Sequence, residues 1–344
     1  MDLIAVLDDK KADTGTVYNS FGGEIEYYKR KVRDSHKGGY GKISLARGFE
    51  LSSNTVLVQS VYESYKNNPK QFVDRINSYG LNKPLGLPIK GEGIPVIPQP
   101  GTNRWSGVSL PWMAFGYGLS VTPLQTLTLY NAVANNGVMV KPIFVSEIKE
   151  WNKTIKKFDT QVINPKICSQ ETLDKVHAVL ENVVKKGTGS KLYSKDFSMA
   201  GKTGTAQVNY KDKSKLYYAS SFVGYFPADE PKYSCIVVVH KPNVAAGYYG
   251  ADVAGPVFKR IAQKIFTDSP SMNHVKNIDA KVVSQEKNYA EYYKKVEKEE
   301  RIVPNVKGME GMDAVALLEN LGLKVIVKGV GRVKNQSLTS GQAF

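Results

Sequence analysis

The sequence is poor in the residues that build metal and disulfide chemistry. It holds two cysteines, Cys168 and Cys235, and four histidines, His36, His177, His240 and His274, spread over 344 residues. Two thiols are too few for a disulfide framework or a zinc site, and no histidine recurs at a metal-ligand spacing such as H-x-x-x-H. No metal and no cofactor are therefore expected. Cys235 lies in the apolar run YSCIVVVH, which predicts a buried free thiol. Long apolar runs are also missing: nothing approaches the roughly 18 uninterrupted apolar residues of a membrane span. The opening MDLIAVLDDK has neither the basic region nor the apolar core of a secretory signal. Acid is the scarcer charge, with 32 acidic against 47 basic residues and a formal net charge of +15. That balance favours polyanionic surroundings, whether nucleic acid, acidic lipid headgroups or anionic wall polymers, and it also fits a mildly basic solvated surface. The lysines are scattered, and neither an RNA-binding signature nor a zinc-finger spacing accompanies them, so a nucleic-acid partner is not expected.

What is present is the make-up of a folded protein. Apolar residues at 42% and charged residues at 23% suit a globular chain with a large core, and the length allows one large domain plus a small one. DLIAVLD, residues 2–8, reads as the closing turns of a helix, and residues 15–35 are turn-rich around Gly22-Gly23. Helical spacing runs from Ile43 to Leu51, breaks at Ser52-Ser53-Asn54 and resumes over Thr55–Tyr65. Pro69 opens a short helix through Ile76 that Gly80 stops, and residues 83–110, rich in Pro and Gly, form a long loop. Thr122 caps a further helix, Pro123 takes its first position, and Asn135-Asn136-Gly137 ends it. Val140–Lys149 and Thr154–Val162 are predicted strands, and Ser169–Val184 an amphipathic helix. Three strand runs follow, Ser198–Ala206, Ser220–Phe226 and Tyr233–His240, joined by polar turns short enough to make them antiparallel neighbours. A closing helix, Val257–Phe266, completes an α+β layer of helices against an antiparallel sheet. Residues 267–301 lose apolar periodicity and read as a linker or a surface helix. Residues 302–344 form a small unit with a helix over Met312–Leu321 and a strand over Lys324–Lys328.

Two polar segments stand out. In SMAGKTGTAQV, strand alternation puts Lys202 and Gly204 on one face and Thr203 and Thr205 on the other, though a twisted edge can still bring hydroxyl and ammonium to one ligand. Gly204 lets a ligand backbone approach. Lysine brings a fixed positive charge, and Thr205 an N–H and a hydroxyl, which together suit a carboxylate and a polarised amide carbonyl. The plainer alternative is a strand with a glycine bulge. Upstream, Ser52-Ser53-Asn54 places three polar groups where two helices meet, and the plainer alternative there is an N-cap for the helix at Thr55.

Taken together, these segments resemble the penicillin-recognising serine D,D-transpeptidases, specifically the class B penicillin-binding proteins, whose motif set is S-x-x-K, S-x-N and K-T-G. FGYGLSVTPLQ, KKGTGSKLYSKDFSMAGKTGTAQ, SSFVGYFPADEPKYSCIVVV and GADVAGPVFKRIA extend the likeness over residues 1–266. Residues 302–344 resemble a PASTA domain, through Val303-Pro304-Asn305-Val306, Gly308-Met309, Leu317-Leu318, Gly322-Leu323 and Val333-Lys334-Asn335-Gln336-Ser337, and end short of its usual last strand. The resemblance implies a β-lactamase-like α+β fold, residues 267–301 being a linker between the two domains. It implies acyl transfer from peptidoglycan stem peptides ending in D-Ala-D-Ala, binding of β-lactams, association with wall-synthesis and division proteins, and a membrane anchor upstream with the catalytic domain on the outer face. Ser52 would relay protons with Lys202, Asn54 would hold the substrate amide, Thr203 and Thr205 would bind the terminal carboxylate, and the Thr205 N–H would form half of the oxyanion hole. The two S-x-x-K strings, Ser146–Lys149 and Ser284–Lys287, fall after Ser52, in the wrong order for the family. The resemblance therefore places the nucleophilic serine and its lysine upstream of Met1, and a chain without them is expected to be inactive. A D-Ala-D-Ala carboxypeptidase or β-lactamase, and a non-catalytic wall-binding homologue, remain alternatives.

Overall fold

The computed structural model describes residues 1–151, 153–209, 214–245, 247–268 and 302–344. The chain divides into two compact units, Met1–Pro270 and Ser271–Phe344.

The first unit is built around two helices. In α1 (Asp2–Asp8) the run from Leu3 to Leu7 is buried on all sides, which an apolar helix needs when it sits in the middle of a core. It packs on α3 (Asn54–Tyr65), whose Val56, Val58, Val61 and Tyr65 are buried. The Tyr65 hydroxyl shares its proton between the Ala5 carbonyl at 3.0 Å and Asp9 at 2.8 Å, so this buried polar atom is satisfied. Between them in sequence lie β1 (Val17–Asn19), the hairpin β2 (Glu24–Tyr27) and β3 (Arg30–Arg33), β4 (Lys42–Ser44), paired with β1, and α2 (Leu45–Glu50). Next come α4 (Pro69–Ser78), the irregular stretch with α5 (Ser109–Met113), and α6 (Pro123–Ala134). Arg75 of α4 reaches Asp8 at 3.1 Å and Asp9 at 2.8 Å, fastening α4 to the end of α1.

The larger sheet orders as β11–β10–β9, from β9 (Ala200–Val208), β10 (Tyr217–Phe226) and β11 (Tyr233–His240), antiparallel throughout. Side chains of β10 alternate faces. Phe222 and Phe226 pack with Phe258 of α9 (Gly255–Asp268), while Tyr225 joins the core shared by α6 and α7 (Gln170–Lys186). The sheet is thus covered by helices on both faces, and β9 and β11 are its edge strands. This is the α+β arrangement expected.

Three local expectations are corrected. Val140–Lys149 and Thr154–Val162 are not two long strands. They form β5 (Met139–Val140) paired with β8 (Val162–Asn164), and a separate exposed hairpin of β6 (Glu147–Glu150) and β7 (Lys153–Lys157). The cause is that their alternating apolar residues find no core: Ile148 and Ile155 are exposed. Cys235 is half-buried rather than buried, because β11 is an outer strand, whereas Cys168 is buried.

In the second unit, α10 (Gly311–Asn320) buries Ala314 and Leu317 against Val306, with Met309, Leu318 and Val333 around them. Lys324–Lys328 does not pair into a strand: Ile326 and Val327 stay exposed, and the pairing around it consists of the single bridges Ile302–Ala343 and Glu310–Arg332. Of residues 267–301, read as a linker or surface helix, 269–301 lie outside the described residues.

Candidate functional site

The turn between α2 and α3 faces the edge strand β9. Helix α2 ends at Glu50, and the Ser52 and Ser53 N–H groups donate to the Phe49 and Gly48 carbonyls at 3.1 and 2.8 Å. Ser52 adopts a left-handed backbone, φ +55°, which is uncommon for a residue with a side chain and costs free energy that the surroundings must supply. Its Oγ is thereby aimed out of the turn. Across the groove, Lys202 Nζ donates to Ser52 Oγ, and also to the Thr203 carbonyl at 3.2 Å, with its ammonium 5.5 Å from the Phe49 ring centre. Burial of the ammonium pushes the Lys202 pKa down from its ordinary value near 10.5 to about 8. A lysine so poised exchanges a proton near neutral pH, and the serine hydroxyl bonded to it can pass that proton onward.

Ser53 is the N-cap of α3, as the plainer alternative held, accepting from Val56 N–H at 3.4 Å. Capping and site-building are compatible because neighbouring residues do the two jobs. Asn54 opens α3, and its Nδ2 donates to the Arg33 carbonyl at 2.7 Å, so Asn54 is held by the end of β3.

Along β9, Thr203 Oγ1 is hydrogen-bonded to Thr188 Oγ1 at 2.8 Å, and Thr205 Oγ1 accepts from Gly250 N–H at 3.0 Å. The reason for glycine at 204 is partly internal. A Cβ there would lie 2.5 Å from Ser221 Oγ on the paired strand, so the space is claimed by the sheet itself as well as being open to a ligand. Gly250, at the start of α8 (Gly250–Val253), seats so closely that a side chain would collide with the Gly204 and Ser221 backbone. At the far end of the strand Gln207 N–H donates to the Tyr117 phenol oxygen, Oη, at 3.0 Å, bringing the FGYG loop alongside.

The structure thus joins Ser52 with Lys202 directly and sets Thr203 and Thr205 on the adjoining edge strand, with Asn54 two residues along from Ser52. It also adds residues that sequence reasoning missed. Thr188 lies in KKGTGSKLY, and its N–H donates to the Glu50 carbonyl at 3.0 Å while its hydroxyl meets Thr203. The flanking glycines were the available signal, since a side chain at Gly187 would run into the Glu50 carbonyl. Tyr117 lies in FGYGLSVTPLQ, which carried the resemblance but gave it no role, and Asp34 carried no local signal. Ser146 leads into the exposed β6–β7 hairpin, and Ser284 lies outside the described residues.

Comparison with known proteins gives a consistent picture. A family model described as the penicillin binding protein transpeptidase domain matches residues 1–263, and a PASTA domain model matches residues 301–344. Stage V sporulation protein D of Bacillus subtilis (strain 168) is 29% identical over 346 residues, covering 98% of this chain and 50% of that protein. The peptidoglycan D,D-transpeptidase FtsI of Buchnera aphidicola subsp. Baizongia pistaciae is 33% identical over 199 residues, 57% of this chain and 33% of that protein. Penicillin binding protein 3 of Mycobacterium tuberculosis, solved in complex with aztreonam, aligns at a TM-score of 0.65 and 25% identity, covering 78% of this chain and 60% of that one. The chain spans half or less of the length of the two curated relatives.

Proposed function

This chain belongs to the penicillin-binding protein transpeptidase family, and we propose that its groove is the acid–base and carboxylate-binding half of a peptidoglycan D,D-transpeptidase site. The single observation that carries the reading is the contact between Ser52 and Lys202, with the lysine held near neutral pKa beside an edge strand that presents Thr203 and Thr205.

In the reaction a serine hydroxyl attacks the penultimate D-Ala carbonyl of a stem peptide. The terminal D-Ala leaves as the free amino acid, and the amine of a neighbouring stem peptide then takes the acyl group, regenerating the serine. Lys202 and Ser52 relay the proton that the leaving amine gains. Thr203 and Thr205 receive the terminal carboxylate, Asn54 the substrate amide, and the Thr205 N–H the developing oxyanion; a missing oxyanion donor typically costs about 10²–10³ in rate. Ser146–Lys149 belongs to the exposed β6–β7 hairpin, Ser284–Lys287 lies outside the described residues, and both follow Ser52 in the wrong order for the family, so we assign the nucleophile to a segment outside Met1–Phe344. β-Lactams mimic the D-Ala-D-Ala end and are proposed as ligands of the same groove; the Mycobacterium tuberculosis neighbour was solved with aztreonam. The whole protein is proposed to act in wall synthesis at the outer face of the membrane, with division or sporulation proteins as partners. Among the described residues no helix is long and apolar enough to cross a membrane.

The test is non-covalent binding of a diacetyl-Lys-D-Ala-D-Ala peptide to the 344-residue chain, followed by NMR. The expected result is shift changes at Ser52, Asn54 and Thr203–Thr205 that vanish in Thr203→Val, with no β-lactam label surviving denaturation. Binding mapped elsewhere, or unaffected by Thr203→Val, overturns the reading.

A further inference from the structure

Helix α3 begins with N–H groups that have no partner inside the helix. Ser53 covers one of them, at Val56. A second is covered from a distance by Asp34, just past the end of β3: its Oδ1 accepts from Thr55 N–H at 2.9 Å. Its Oδ2 accepts from two hydroxyls, Ser53 Oγ and Thr55 Oγ1, each at 2.9 Å. A carboxylate is favoured there, because the start of a helix is its positive end and bonds to an ionised acceptor are the stronger kind. The adjacent Arg33 carbonyl holds Asn54 at 2.7 Å. Two consecutive residues of one strand end therefore fix residues 53, 54 and 55 together. The strand end is itself anchored, by buried Val32 and by the Asp34 N–H on the Gly23 carbonyl at 2.9 Å.

On the other side, the end of α2 fixes Ser52 and Ser53 through the Phe49 and Gly48 carbonyls. Ser52 sits between these two anchors and has the left-handed φ of +55°. If the start of α3 were free to shift, rotation at Ser52 to an ordinary negative φ would relieve the strain and swing its hydroxyl off Lys202. We infer that Asp34 is a positioning residue of the site: by clamping the first turn of α3 it keeps Ser52 in the left-handed conformation that places its hydroxyl on Lys202. Asparagine replaces it less well, since its Nδ2 would donate where Oδ2 accepts, so both hydroxyls would have to turn round to accept and the charge-assisted bonds would be lost. This inference takes from the functional reading only the view that Ser52 and Lys202 act as a pair.

The test uses isotope-labelled chain and compares the parent with Asp34→Asn and Thr55→Val, the latter removing one hydroxyl donor but leaving the backbone bond. Three things are read: the Ser52 backbone resonances and three-bond coupling, which report its φ; the Lys202 side-chain resonances; and affinity for diacetyl-Lys-D-Ala-D-Ala. In Asp34→Asn, Ser52 loses its left-handed signature, Lys202 shifts with it, and peptide affinity falls about tenfold or more. Thr55→Val moves all three in the same direction by less, and decides the matter if Asp34→Asn does not fold. Ser52 and Lys202 resonances left unchanged in a folded Asp34 variant overturn the inference, since a purely structural cap alters stability without moving them. Should the parent bind no peptide while Ser52 and Lys202 still move together, the functional reading fails and the positioning role stands.

Discussion

At the scale of single residues, Lys202 shows how burial converts a motif into chemistry. Its folded pKa of about 8 lies below the ordinary 10.5. Below pH 8 both folded and unfolded chains carry the charge, and the folded state bears the full cost of enclosing it. Between about pH 8 and 10.5 the unfolded lysine holds a proton that the folded one has released, so stability rises with pH through that window, and above it the cost has gone. The rise is about 3 kcal/mol at 1.36 kcal/mol per pKa unit. Urea unfolding at pH 7.5 and 10.5 should show that rise in the parent and a correspondingly smaller one in Lys202→Met; equal rises would mean that the ammonium is hydrated. Thr188 makes a second residue-level case. Thr188→Val keeps the shape but leaves Thr203 without its 2.8 Å partner. Peptide affinity is expected to drop several-fold with a stability loss of about 1 kcal/mol, measurable by the NMR titration and by thermal unfolding.

At the scale of elements, the start of α6 anchors the long loop that precedes it. Thr122 Oγ1 accepts from Gln125 N–H at 3.1 Å and Gln125 Oε1 accepts from Thr122 N–H at 2.9 Å, a reciprocal capping box. Gln125 is fully buried, and its Nε2 also donates to the Lys83 carbonyl at 2.8 Å, tying the long loop to the helix. The same helix start receives the chain from the FGYG loop, whose Tyr117 meets Gln207 of β9. Gln125→Ala keeps the backbone N–H that Thr122 caps but removes the reciprocal side-chain half of the box, leaving the Thr122 N–H and the Lys83 carbonyl without their partner, so we expect a loss of about 2–3 kcal/mol in denaturant unfolding. Much of this element was legible. Thr122, Pro123 and Gln125 are local signals, and so were the capped start of α7 and the limits of β11. The β6–β7 region was not, because alternation in sequence does not reveal whether a core exists to receive the alternating side chains.

At the scale of the whole molecule, the two units keep separate cores. The clusters around α1, α3 and α7 and around Phe222 and Phe258 lie wholly within Met1–Pro270. A chain ending at Pro270 should therefore unfold in one cooperative transition by circular dichroism. The buried cluster of residues 302–344 is Val306, Ala314 and Leu317 with three partly buried neighbours, and Val303 is buried as well. So small a core stabilises a chain weakly, and the isolated 302–344 peptide should unfold at low denaturant. The sequence alone determined the helices and strands with strong periodicity, the caps and turns that bound them, and the residue types of the two polar segments, because each depends on neighbours a few positions away. Only the tertiary structure decided that Ser52 and Lys202, 150 positions apart, share a hydrogen bond, that Asp34 braces the turn that carries Ser52, and that partial burial lowers the lysine pKa. Those outcomes follow from how α3 and β9 are carried by the packing beneath them, and no spacing along the chain encodes that distance.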